Sequence, residues 1–184
     1  MSKRKTKTAM TKPDGRRLPE KKELIEFLNK CWMTHDAMWF YSCLQEFGLR
    51  KANKMNKAAI RSLAPIEVNR IKKFLGMEKE QIETYEALKN FFSGASELCI
   101  PDFMNVTMSF PKKNILHWEF KPKDCFAYKG MKNIGVIDDY ECGVMYRVGC
   151  WIESLKIKYD VNPKIERCLM LDNPNCSGDF SLYF

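Results

Sequence analysis

The sequence predicts an α+β fold with the helices first and an antiparallel sheet after them, and three observations predict it. Up to about residue 92 apolar residues recur at helical spacing, whereas from Leu98 they recur every second position. Glycine and proline punctuate the change of period at Gly48, Gly76, Gly94 and Pro111. Two short helical stretches then interrupt the second half. The expected architecture is therefore N-terminal helices packed on an antiparallel sheet interrupted by two helices.

Residues 1–18 read as a basic disordered tail and residues 19–184 as a single α+β domain. Pro19, at a first helical position, opens a long helix that runs to Phe47 and is closed by Gly48. Projected at 100° per residue, Leu24, Leu28, Cys31, Trp32, Met38 and Trp39 fall within roughly 60° of His35. This places His35 at the centre of the apolar face. A second helix spans Arg50 to Leu75, kinked or restarted at Pro65 and stopped by Gly76. A third spans Glu78 to Phe92, with Ile82, Tyr85, Leu88 and Phe92 on one side, and ends before Gly94.

Met104, Val106, Met108 and Phe110 then alternate with polar residues, as do Leu116, Trp118 and Phe120, and Pro111 to Asn114 form the turn of a hairpin between them. Two helices follow, Asp124 to Ile134 and Asp138 to Leu155, each with aspartate as N-cap. Strands at Ile157–Val161 and Ile165–Leu171 lead through Asp172-Asn173-Pro174-Asn175 to a last strand, Asp179–Phe184. There is no internal repeat.

Composition narrows the function. With 184 residues, 45% apolar and 29% charged, the chain can bury a real core and is neither collagen-like nor of low complexity. Its net charge of +8 suggests a polyanion partner until it is located: residues 1–22 hold nine Lys/Arg against Asp14 and Glu20. The remainder holds 22 basic and 21 acidic groups, so the body lacks the basic stripe that drives nucleic-acid binding, and no specific nucleic-acid partner is expected. No apolar run is long enough to span a membrane and no signal peptide follows the basic start, so a cytoplasmic location without membrane association is expected.

In that compartment the eight cysteines read as metal ligands, catalytic groups or core filler rather than disulfides. Cys125, Cys142, Cys168 and Cys176 all fall in the last third. Cys125 and Cys142 each open a predicted helix, where free N–H groups and the macrodipole favour thiolate. Cys168 lies in a predicted strand and Cys176 in the loop before the next, so antiparallel pairing would bring them together. No Cys-x-x-Cys is present, so any metal site must be assembled in three dimensions. Around Cys142 the helix carries Tyr146, Gly149 and Glu153, with Gly143 and Cys150 on the flank; small residues there predict close approach of a second element or a ligand.

Histidine is confined to His35 and His117. His35, beside Asp36 and one turn after Cys31, is a candidate metal ligand or general base, or a buried neutral imidazole with one hydrogen bond. His117 falls on the polar side of its strand. Dinucleotide, Walker, zinc-protease and serine-hydrolase motifs are absent. Eleven methionines and twelve phenylalanines suit an apolar ligand pocket and ordinary packing equally.

The segment Thr34-His35-Asp36-Ala37-Met38-Trp39-Phe40, followed by Cys125-Phe126-Ala127-Tyr128, Tyr140-Glu141-Cys142-Gly143, Cys168 and Cys176 before a terminal strand, resembles a poorly characterised prokaryotic family. That family is similar to the L-2-amino-thiazoline-4-carboxylic acid hydrolase-like proteins. The C-terminal arrangement also loosely resembles 4-vinyl reductase (hydrocarbon-binding) domains, some of which hold a metal with cysteines. The likeness covers about residues 20–184. It implies opening of a cyclic C–N bond, with Cys125, Cys142 and Cys176, and further Cys168 and His35, as nucleophile or metal ligands.

Three functions follow as expectations. In the first, Cys125, Cys142, Cys168 and Cys176, with His35, form a zinc or iron site, or a thiolate site, next to an apolar pocket. In the second, Cys125 or Cys142 attacks a small cyclic substrate while His35 or Asp36 moves protons and Tyr146 or Arg147 orients it. In the third, the domain encloses an apolar small molecule between the aromatic helix face and the sheet.

Overall fold

A computed structural model describes Asp14, Gly15, Arg17 and residues 19–184. The expected disordered tail lies, apart from those three positions, outside the described residues. The domain is α+β: three helices, a hairpin, two shorter helices and two further strands. No helix in the described residues is long and apolar enough to cross a membrane.

The first helix, α1 (Lys21–Phe47), starts two residues after Pro19, where the Glu20 N–H donates to the Glu23 carboxylate at 2.9 Å. Gly48, at φ 76°, ends it and begins α2 (Leu49–Phe74). Such a left-handed φ suits glycine. Pro65 lies inside α2, and Gly76, at φ 72°, follows its end.

The third helix is displaced from its expected place. Residues 78–84 form turns and coil, and α3 runs Tyr85–Cys99, with the Thr84 hydroxyl accepting from the Ala87 N–H. Gly94 does not stop it. An added Cβ there would lie 2.6 Å from Leu75, so Gly94 makes room for the side chain that closes α2.

The sheet has order β1-β2-β4-β3 and is antiparallel throughout, built from β1 (Val106–Ser109), β2 (Ile115–Phe120), β3 (Lys158–Asn162) and β4 (Ser177–Tyr183). Met104 falls in a 3-10 turn rather than in β1. Leu116, Trp118 and Phe120 point to one face and are completely buried with Phe180 and Leu182 of β4. Against them pack Leu88, Phe91 and Phe92 of α3 and residues of the later helix α5 (Gly143–Ser154).

Both late helices start after their expected caps. The fourth, α4 (Phe126–Asn133), has Cys125 as N-cap, and α5 has Cys142. Asp138 and Asp139 belong to a separate 3-10 turn, Ile137–Asp139. Buried Asn53 of α2 holds the link to α5, donating to the Asp139 carbonyl at 2.9 Å and accepting from the Glu141 N–H at 3.3 Å. The expected strand at Ile165–Leu171 is a series of turns, because β3 pairs directly with β4 and leaves that segment no ladder partner. Lys123 tethers these turns, donating its ammonium to the carbonyls of Met170 and Asn173 and its backbone N–H to Pro174.

The small residues of α5 meet close neighbours, as expected. A Cβ on Gly143 would lie 2.9 Å from Asn56 and 3.0 Å from Ile60 of α2, and one on Gly149 would lie 2.3 Å from the Tyr159 hydroxyl of β3. The helix is thus clamped between α2 and the sheet.

The apolar stripe centred on His35 is real but, apart from Trp32 at its edge, faces outward. Phe27, Leu28 and Trp39 are 62%, 61% and 62% exposed, and Cys31 and His35 are exposed too. The side of α1 that packs carries Ile25, Asn29, Met33 and Phe40, with Phe40 the sole residue buried. Phe40 meets Tyr140 edge-on at 5.7 Å. Consequently Phe40→Ala should lower stability by about 3 kcal/mol, while Trp39→Ser should change it by about 0.5 kcal/mol or less, both read from urea unfolding. Equal losses would mean that α1 is turned the other way.

Candidate functional site

Two cavities meet where α1, α2, α4 and α5 face the hairpin. The larger measures about 230 Å³. Methionines 33, 104, 108, 131 and 145 and the rings of Phe40, Phe120 and Phe126 give it an apolar wall. Among the described residues its charged lining residues are Asp36 from α1 and Arg147 from α5.

Arg147 is held from four sides. Its Nε donates to Glu67 Oε2 at 2.9 Å and its second nitrogen donates to Oε1, a bidentate pair. The Trp151 indole N–H donates to the same Oε2 at 2.9 Å. The guanidinium lies 4.4 Å from the Trp32 ring centre and 5.1 Å from that of Trp151. Glu67 and Arg147 are 14% and 20% exposed, so neither charge would be tolerated there alone.

Asp36 sits one helical turn after Trp32 on the cavity side of α1, at an exposed position. Desolvation of the carboxyl against the cavity wall raises its pKa, and the nearby Arg147, then His35, pull it back. Among the described residues no hydrogen bond or ion pair holds it.

The smaller cavity, about 20 Å³, is lined by Cys125, Cys142, Cys168 and Cys176 together. Four separate elements deliver them: the N-caps of α4 and α5, the turn segment tethered by Lys123, and the residue before β4. The Phe120 N–H donates to the Cys176 carbonyl at 2.9 Å, which fixes the last of these beside β2. Antiparallel pairing therefore does not join Cys168 to Cys176, as the sequence suggested; turns do.

The helix starts act on these sulfurs as expected but are outweighed. Burial pushes the Cys125 thiol up to about 12 and the Cys176 thiol up to about 11, and raises Cys142 and Cys168. The N–H groups of Tyr128 and Ala127 pull Cys125 down, and those of Met145 and Val144 pull Cys142 down, by less. The expected low-pKa thiolates are thus corrected to buried thiols.

His35 lines neither cavity and is exposed on α1. The placement expected from the helical projection, pointing to the cysteines, is corrected on this point. His117 pairs across the sheet, its Nδ1 2.8 Å from Asp179 Oδ1. Tyr146 hydrogen-bonds Arg61 at 2.9 Å. Sequence reasoning missed Glu67 and Trp151 as members of the site. Glu67 had a legible signal, since it interrupts the helical row of Ile60, Ala64, Val68 and Ile71.

In metal-free protein, exposed Cys31 should react with iodoacetamide at pH 7 at least about tenfold faster than Cys125, Cys142 or Cys176. Raised thiol pKa values stabilise the fold fully below the ordinary value of 9.0, and that contribution is lost as pH climbs through about 11 to 12. Stability should fall over that alkaline window, and less steeply in Cys125→Ser. Fast labelling of Cys125 or Cys142 at pH 7, followed by mass spectrometry, would overturn this ordering.

Residues 18–169 match a family of unknown function, DUF6125, and the chain belongs to that family. No curated protein and no solved structure matches it.

Proposed function

We propose that this DUF6125 member is a small-molecule binding domain that encloses an apolar ligand in the cavity beneath α1. The observation that carries this reading is the cavity itself, about 230 Å³ with an almost wholly apolar wall and a single charged cluster. An engineered apolar cavity of about 150 Å³ suffices for benzene, so a substituted or fused ring is the expected size. An apolar body surrounded by a few fixed polar groups is the ordinary make-up of a ligand pocket.

A second reading, a zinc or iron ion among Cys125, Cys142, Cys168 and Cys176, is supported by their convergence on one small cavity. Thiols in that number suit a soft or borderline ion. Trp118 adds to the fit: its indole N–H is buried without a partner of ordinary geometry among the described residues, yet lies close enough to Cys176 to lower that thiol's pKa. Such a donor would stabilise a metal-bound sulfur. Against it, no three His, Cys, Asp or Glu side chains among the described residues are already arranged to hold an ion. An ion would supply a rigid cross-link among four elements behind the pocket. The hydrolytic alternative requires Cys125 or Cys142 to ionise against its burial, which places it behind both.

Indole at about 100 times its Kd should stabilise the protein by about 2.7 kcal/mol, visible as a rise of several degrees in Tm. Ala59→Trp, at an exposed position on the cavity wall, should abolish that rise with little change in the unliganded Tm. No response to indole or naphthalene, together with no organic molecule in native mass spectra, would sink the ligand reading. Elemental analysis tests the second: about one zinc or iron per chain, absent from the quadruple Cys→Ser variant at 125, 142, 168 and 176. Metal-free wild-type protein of unchanged stability would remove it.

A further inference from the structure

We propose that the ligand of this cavity is an apolar molecule bearing one protonated amine, which the Asp36 carboxylate binds at the cavity mouth. The inference rests on the ligand-binding reading above and names the chemical class. Among the described residues the charged groups on the cavity wall are Asp36 and Arg147.

The charge of Arg147 is already balanced by Glu67. Both oxygens of Glu67 meet it, so the pair as a whole is neutral. Trp32 and Trp151 cover the guanidinium at 4.4 and 5.1 Å, and Trp151 also donates to Glu67, so the Arg147 charge is already matched and shielded within the cluster. Other nearby cations are engaged too: Lys57 pairs with Glu141 at 2.5 Å and Arg61 with Glu153 at 2.8 Å.

Asp36 is left as the uncompensated charge. It makes no hydrogen bond or ion pair within the described residues, although Arg147 is close enough to influence its carboxyl. The remaining polar groups on the wall are neutral. The Tyr140 hydroxyl accepts from the Gly143 N–H at 3.2 Å, and Asn56 contributes an amide. Among the described residues, a carboxylate placed in this cavity would meet one unpaired negative charge and no unpaired positive one. A monocation would meet the reverse, with its apolar body in contact with methionine and aromatic side chains. Desolvation raises the Asp36 pKa, and an ammonium at its side would offset that cost.

Three probes of one shape separate the possibilities: 2-phenylethylamine, 2-phenylethanol and 3-phenylpropionate, titrated by calorimetry into the full chain at pH 7. The amine should bind at least about tenfold tighter than the carboxylate and measurably tighter than the alcohol. Asp36→Asn should bring the amine down to the affinity of the alcohol, and Asp36→Glu should keep the order of preference. Asp36 makes no hydrogen bond or ion pair among the described residues, so both variants should retain the wild-type circular dichroism and Tm. Carboxylate or alcohol binding as tight as the amine, or an amine preference that survives Asp36→Asn, would overturn this assignment while leaving the ligand-binding reading intact. Binding of none of the three would overturn this assignment, and with no response to indole or naphthalene and no organic molecule in native mass spectra it would overturn the ligand-binding reading too.

Discussion

The guanidinium of Arg147 is enclosed by two tryptophan rings, and it can stay there only because Glu67 meets it with both oxygens. An isolated buried charge is prohibitively costly, whereas a bidentate pair with its remaining polar groups satisfied is tolerable. That requirement fixes geometry across three helices at once, since Trp32 lies on α1, Glu67 on α2, and Arg147 and Trp151 on α5. The floor of the cavity is therefore set by an electrostatic condition, and its walls by ordinary apolar packing. Truncating Glu67 would disturb the pocket, the α2–α5 contact and the seating of α1 together.

The position of α1 follows from this arrangement. A helix that buried its strongest apolar stripe would put Leu28, His35 and Trp39 inward. This one turns that stripe outward and uses a second, more mixed side, where Trp32, Asp36 and Phe40 each have a distinct neighbour or cavity to face. Polar links reinforce it: the Asn29 amide donates to the Leu98 carbonyl at 3.3 Å. The energetic cost is a large exposed apolar surface, which an isolated soluble helix face seldom carries.

Much of the fold was legible because periodicity reports burial directly. The strands β1 and β2, with Leu116, Trp118 and Phe120 inward, and the ends of α1 and α2 at Gly48 and Gly76 follow from local chemistry. Failures occurred where tertiary neighbours overrode it. Gly94 looked like a helix stop and is instead a slot for Leu75, and Ile165–Leu171 alternates like a strand but has no strand beside it. The four cysteines were legible as a group, because position in the chain suffices to mark them. Their protonation was not, since a helix start favours thiolate and only packing reveals that burial wins. His35 failed for a different reason: a helical projection locates a stripe but cannot say whether the stripe faces core or water.

The contact between Gly149 and Tyr159 bears on how the family diversifies. Those two positions share one volume, because any Cβ at 149 would sit 2.3 Å from the Tyr159 hydroxyl and 3.0 Å from its ring carbon. Exchanging tyrosine for phenylalanine removes the first clash but leaves the second. Alanine at 149 would therefore require the Tyr159 ring to swing aside, a smaller residue at 159, or α5 to lift from the sheet. Since α5 also carries Arg147 and Trp151, the lifting would propagate into the cavity. The two sites should covary as a unit, with glycine and a large ring in one branch and a larger residue facing a smaller one in another.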